Sequence, residues 1–163
     1  MSDVKTLYVE DIVAWAEQQA EALRVAARTG SNQQLDWENL AEEIEDLGRS
    51  YRSSLKSHLR RIIHHLVKLQ HSPAVEPRNG WRRTIRVARV QVRDLLDESP
   101  SLQREVGRII QAIAKSAIEL AIADLDEHDE IGAVEALVVR RSSYSEEQVL
   151  GDWLPDEPRG SGE

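Results

Sequence analysis

The sequence predicts an all-α protein, an antiparallel bundle of about four main helices followed by a short, partly helical C-terminal tail. Three observations predict it. Apolar residues recur at threes and fours through most of the chain, the period of a helix with one buried face. No stretch alternates apolar and polar residues between hairpin turn signals. The clearest Pro and Gly punctuation, Ser72 to Gly80, separates two such periodic stretches rather than interrupting one. With 163 residues and 40% hydrophobic content, one compact helical domain over 1–163 is expected, with 155–163 as a frayed tail.

In chain order, Val9, Ile12, Val13, Ala16, Ala20, Leu23 and Ala27 form the stripe of a first helix that Gly30 stops. Asp36 caps a second helix whose stripe runs from Trp37, Leu40, Ala41 and Ile44 to Leu66 and Leu69, ending near His71. Unbroken, it is roughly 54 Å long. Gly48 is read either as a kink or as a point where a neighbour packs close. A third helix follows Gly80, with Trp81, Ile85, Ala88, Val92 and Leu95 inward. Ser99-Pro100 looks like a cap followed by proline at the first helical position, opening a fourth helix with Leu102, Val106, Ile109, Ile110, Ile113, Ala117 and Leu120 inward. It fades near Asp126. Ala133 to Arg140 is read as a short helix, and Ser145 to Leu150 as a turn of helix capped by Ser145.

Composition excludes several functional classes. No apolar run approaches the roughly 18 residues of a membrane span. The chain has no cysteine, hence no disulfide, thiolate metal site or cysteine nucleophile. The start, MSDVKTLYVEDIV, lacks the features of a secretory signal, so a cytoplasmic protein is expected. Charge is distributed unevenly. Between Arg49 and Arg93 twelve bases face one acid, Glu76, giving +11, whereas nine bases and 28 acids elsewhere give −19 and a total of −8. The second helix carries acids early and bases late, as its dipole favours. The third opposes its dipole at both ends, with Arg78, Arg82, Arg83 and Arg86 early and Asp94, Asp97 and Glu98 late. Such a conflict calls for a tertiary or functional reason. Rise counting places the acidic end of the fourth helix beside this basic start, so at least one of Arg78, Arg82 and Arg83 is expected to meet an acid between Asp124 and Glu130.

The run Leu35-Asp36-Trp37-Glu38-Asn39-Leu40-Ala41-Glu42-Glu43-Ile44-Glu45-Asp46-Leu47-Gly48 resembles the signature of a bacterial family known as domain of unknown function 29. His65-Leu66-Val67-Lys68, Trp81-Arg82-Arg83-Thr84-Ile85 with Arg89, Pro100-Ser101-Leu102, and Asp11 with Trp15 are similar to it as well. So are Gln148-Val149-Leu150 and Trp153-Leu154-Pro155; Leu69 departs from the pattern, which usually has tryptophan there. The resemblance implies a helical bundle and a bacterial source, and marks Asp36, Glu42, Glu43, Glu45, His65, Lys68 and Trp81 as motif residues without a role. It implies no activity.

The motifs lean against an enzyme. No nucleophile elbow, phosphate-binding loop or dinucleotide turn occurs, and no Glu-x-x-His pair. No catalytic residue, metal or cofactor is predicted. On the second helix Glu38, Glu42 and Asp46 fall outward, Glu43 and Glu45 at the flanks, His64 and His71 outward, and His58 and His65 at the edge of the apolar stripe. The first functional reading is a non-catalytic interaction module docking an acidic partner, or another copy of itself, through Arg49, Arg52, Lys56, Arg60, Arg86 and Arg93. Nucleic acid is disfavoured by the negative total and by the lack of aromatics among these arginines. The alternative is a metal-binding or enzymatic bundle gathering His58, His65, Asp11 and Glu43, including a hydrogen bond from His58 to Asp11.

Overall fold

The computed structural model describes residues 4–30 and 33–157, so Arg159 and the other residues of the expected frayed end beyond Glu157 lie outside the described residues. Every regular element among them is helical: α1 (Val4–Glu10), α2 (Ile12–Arg28), α3 (Trp37–His71), α4 (Arg78–Glu98), a 3-10 helix (Pro100–Glu105), α5 (Val106–Glu127), α6 (Ala133–Val139) and α7 (Glu146–Leu150). The chain is thus all-α with four main helices, α2 to α5. It forms two compact units, Met1–Leu55 with Arg93–Glu105, and Lys56–Val92 with Val106–Glu163. None of the helices described is long and apolar enough to cross a membrane.

In the first unit Val13, Ala16, Ala20, Ala41, Leu55 and Leu102 are fully buried or nearly so. Two ion pairs join α2 to α3, Arg24 to Glu45 at 2.7 Å and Arg52 to Glu17 at 2.5 Å. As residue numbers rise on one helix they fall on the other, which makes the two antiparallel. The single helix expected from Val9 to Ala27 is instead broken at Asp11. Its backbone is extended there, and its carboxylate accepts from Ala14 N at 2.9 Å as the N-cap of α2. The same carboxylate accepts from Ser101 N at 2.6 Å and Ser101 Oγ at 2.9 Å. Ser99 Oγ, also buried, accepts from Val13 N at 3.3 Å. These bonds explain a second departure. Residues 100–105 form a 3-10 helix, and α5 begins only at Val106, because the turn expected to open the fourth helix is tied to the start of α2.

α3 is continuous over 35 residues, so Gly48 does not break it. A Cβ at Gly48 would stand 3.7 Å from Val13 Cγ1 and 3.5 Å from an Arg52 guanidinium nitrogen, in ordinary contact.

The second unit holds the larger core. Leu59, Ile62, Ile63, Leu66 and Val67 of α3, Ile85, Ala88 and Val92 of α4, and Val106, Ala117, Ala121 and Leu125 of α5 are almost completely buried, with Val139 and Val149 from the short helices. α4 begins at Arg78, inside the stretch expected as loop, and Arg78 itself is buried. Its guanidinium donates to Leu69 O at 2.7 Å and Ser72 O at 3.3 Å, so a cation takes up carbonyls at the C-terminal end of α3. α5 ends in a Schellman turn: Glu130 N donates to Leu125 O and Asp129 N to Asp126 O, with Asp129 at φ 56°. The tail helices fall where expected. α6 spans Ala133–Val139, and Ser145 Oγ caps α7 by accepting from Gln148 N at 3.1 Å.

Arg89 fixes this tail. Its guanidinium donates to Gln148 O at 2.8 Å, Val149 O at 2.9 Å and Trp153 O at 2.7 Å. Arg82 pairs with Glu157. Part of the third helix's reversed charge, Arg78 and Arg82, therefore has a tertiary reason, but not the expected one. Among the described residues none of Arg78, Arg82 and Arg83 pairs with an acid from Asp124 to Glu130. Those acids face other groups: Asp124 holds His64 and Lys68, and Glu130 accepts from the Ser72 hydroxyl.

Three outcomes follow for stability. Gly48→Ala fits the space beside Val13 and removes a mid-helix glycine, so urea unfolding should show a gain of about 0.5–1 kcal/mol. Arg89→Ala leaves three carbonyls without their donor; a loss of about 2–3 kcal/mol is expected, with faster amide exchange over 145–157. Arg89→Lys should not restore either, since a point charge cannot span three acceptors. His58, His64, His65 and His71 all titrate below the ordinary 6.5, chiefly because burial disfavours the charged ring. The unfolded chain therefore takes up protons first. Their contribution is complete above about pH 6.5 and lost as the pH falls through the depressed folded values, so the urea midpoint should drop between pH 7.5 and 5.5.

Candidate functional site

The basic residues divide into two groups. One group is engaged internally. Arg52 donates to both oxygens of Glu105, at 2.8 to 3.1 Å, as well as to Glu17. Its side chain keeps only 27% of its exposure, so the stripe proposed from sequence loses it as a docking cation. Arg78, Arg82 and Arg89 are held as described above. The other group is turned outward. Lys56 and Arg86 are exposed and Arg60 half-buried, and none of the three makes an ion pair among the described residues. Arg61 and Arg83 share that condition. Arg93 is exposed, and Arg49 is exposed but pairs with Asp46 one turn back.

The acidic motif residues are mostly structural or solvated. Asp36 accepts from Asn39 N at 3.2 Å, capping α3 as expected, and from Asn39 Nδ2 at 2.6 Å. Glu42 and Glu43 are exposed. Glu45 pairs with Arg24, whose hydrogen bond and charge hold the carboxyl below the usual carboxylate range.

The candidates for a metal or acid–base centre are not brought together. Asp11 is not the acceptor expected for His58, because its oxygens are engaged by Ala14 and Ser101. His58 Nδ1 is buried without a hydrogen-bond partner. His65 donates from Nδ1 to Arg61 O at 2.8 Å. Among the described residues no three His, Asp or Glu side chains gather closely enough to hold a metal ion.

The polar cluster that the second unit does assemble lies at the C-terminal ends of α3 and α5. His64 Nε2 and Lys68 Nζ converge on Asp124 Oδ2, at 2.9 and 3.0 Å. Lys68 also stands 4.9 Å from the ring centre of Trp81, a cation–π contact that places two motif residues together. His64 was expected to face outward, yet it is half-buried, as is His71, which meets Ser142 Oγ at 3.1 Å. Segments far along the chain cover that side of α3, a contact one helix's periodicity cannot register.

Beside this cluster opens a cavity of about 260 Å³ lined by Lys68, Pro77, Trp81, Asp124, His128 and Glu130. Burial works to raise the Asp124 carboxyl, but the hydrogen bond and charge of Lys68, aided by His64, outweigh it and leave Asp124 below its ordinary value. An ionised Asp124 only accepts, so the His64 proton resides on Nε2. His128 Nδ1 donates to Asp124 O at 2.7 Å. The pocket thus presents an indole wall, an ammonium, an imidazole and two carboxylates, a lining suited to holding a small polar molecule. Sequence reasoning missed Asp124, His64, His128 and Glu130. The available signal was their spacing, since His64 and Lys68, and Asp124 and His128, each stand one helical turn apart.

In the first unit an open groove of about 410 Å³ is lined by Tyr8, Val9, Ile12, Leu47, Tyr51 and Glu98, with Tyr51 donating to Glu98 at 2.9 Å.

The fold has a counterpart among solved structures. An alpha-helical protein of unknown function from Rhodospirillum rubrum is 26% identical, with a TM-score of 0.69 over 89% of each chain. No curated protein matches the sequence. The family described as domain of unknown function DUF29 matches residues 7–154, which contain helices α2 to α7 and the motif residues from Asp36 to Trp81. The chain belongs to that family.

Proposed function

We propose that the protein is a non-catalytic helical interaction module that docks an acidic protein surface through Lys56, Arg60 and Arg86 of the second unit. The supporting observation is the division of the cations. Arg52, Lys68, Arg78, Arg82 and Arg89 each meet an internal acceptor. Lys56, Arg60 and Arg86 have no ionic partner among the described residues. Arg83 adds weight, because it stands exposed and unpaired in the second turn of α4, where the helix dipole disfavours a cation. A protein of net charge −8 with outward cations concentrated on two helices is suited to an acidic partner.

The test is affinity capture with the wild-type chain and with the Lys56→Glu/Arg60→Glu/Arg86→Glu variant, at about 50 and 500 mM salt, after circular dichroism shows equal helicity. Acidic partners retained by the wild type at low salt, and lost both in the variant and at high salt, are the expected result. Identical partner lists for the two proteins would overturn the proposal.

A further inference from the structure

α6 is amphipathic in the reverse sense. Val139 is buried, whereas Val134, Leu137 and Val138 keep 72%, 57% and 60% of their exposure. These three stand at i, i+3 and i+4, so they form one outward stripe, and Arg141 is exposed just past the C-cap Arg140. The helix is nevertheless firmly held. Arg140 binds both oxygens of Glu119 on α5 at 2.8 and 3.2 Å, and Glu135 closes the N-terminal turn by accepting from Gly132 N at 3.1 Å. Three large apolar side chains on a fixed helix are thus presented to water, whereas the next short helix, α7, turns Val149 fully inward.

We infer that α6 is a self-docking surface, which packs antiparallel on α6 of a second copy about a two-fold axis close to Val138. Charge identifies the occupant. Glu135 lies near the start of the helix and Arg141 just beyond its end, and Arg141 has no ionic partner among the described residues. Antiparallel pairing about Val138 sets each Glu135 opposite the other copy's Arg141, twice over. Parallel pairing would set like charges together. A two-fold contact needs a patch complementary to itself, and this sequence of acid, apolar stripe and base meets that condition. Three side chains offer far less than the roughly 800 Å² per partner of a standard interface, so the dimer belongs to the weak, reversible class. The contact uses none of Lys56, Arg60 or Arg86 and is independent of the function proposed above.

The chain has no cysteine, so Val138→Cys supplies a single thiol at the proposed axis. Under mild oxidation it should give a disulfide-linked dimer much faster than Ser53→Cys, an exposed position in the first unit. In sedimentation equilibrium between about 10 μM and 1 mM the wild type should pass from monomer to dimer. Leu137→Glu should stay monomeric. Arg141→Glu should weaken association about tenfold, and Glu135→Arg added to it should restore it. Glu135 also closes the N-terminal turn of α6, so circular dichroism accompanies each variant and recovery of association is compared at equal helicity. A wild type that remains monomeric throughout, or equal cross-linking at positions 138 and 53, would overturn the inference. So would a dimer that survives Leu137→Glu but is lost in the Lys56→Glu/Arg60→Glu/Arg86→Glu variant.

Discussion

A helix that ends inside a protein leaves its last carbonyls without donors, and the second unit depends on arginines that meet them. Arg78 does this for α3, reaching Leu69 O and Ser72 O from the first residue of the following helix. Arg89 does it for α7 and continues to Trp153 O. A guanidinium suits the task because its five N–H groups spread in a plane, so one side chain can satisfy acceptors from separate segments. Placing the charge at a helix C-terminus adds a favourable dipole term to the hydrogen bonds. Without these contacts the α3–α4 turn and the C-terminal segment would lose the bonds that fix their direction, while the Ile- and Leu-rich core beneath could still collapse. Apolar burial supplies much of the stability and the arginines select the arrangement.

The first unit solves a similar problem with acids. Asp11 ends α1, caps α2 and receives two bonds from Ser101, so one carboxylate aligns two segments 90 residues apart. Arg52 then joins Glu17 of α2 and Glu105 of the 3-10 helix to α3. Exposed ion pairs contribute little, about 0–1 kcal/mol. The bidentate contact to Glu105 is better sheltered, and its geometry admits one register of the helices, a directional requirement that apolar contacts do not impose.

What could be read from sequence follows from the range of the forces involved. The 35-residue α3, its Asp36 cap and the Ser145 cap of α7 rest on periodicity and on bonds spanning three residues, and all are legible locally. The break at Asp11 is not, because the apolar period runs unbroken from Val9 to Ala27 and nothing local shows that Ser101 meets this carboxylate. Arg78 looks like surface charge opposing its helix dipole, until the end of α3 is seen to need its donors. Of the cavity beside Trp81, the motif supplied Lys68 and Trp81, whereas rise counting sets Asp124 and Glu130 against the arginines of α4 and gives His128 no role. The pairing of Lys68 with Asp124 joins residues 56 apart, and helix periodicity cannot choose which acid the lysine will meet.

The uneven charge of the chain can now be resolved by depth. Between Arg49 and Arg93 the sequence carries +11, but several of those cations serve the interior and cannot also recruit a partner without releasing what they hold. Reversing Arg89 would test the tail; reversing Arg86, three residues earlier, tests the surface. Counting charge along a sequence merges these roles, because a helix places neighbours in sequence on different faces. The same reasoning applies to the apolar residues of α6. Val139 belongs to the core and Val138 to the surface, although they are adjacent and chemically identical. A residue's contribution to association is therefore set by which face the fold leaves open, and composition alone does not carry that information.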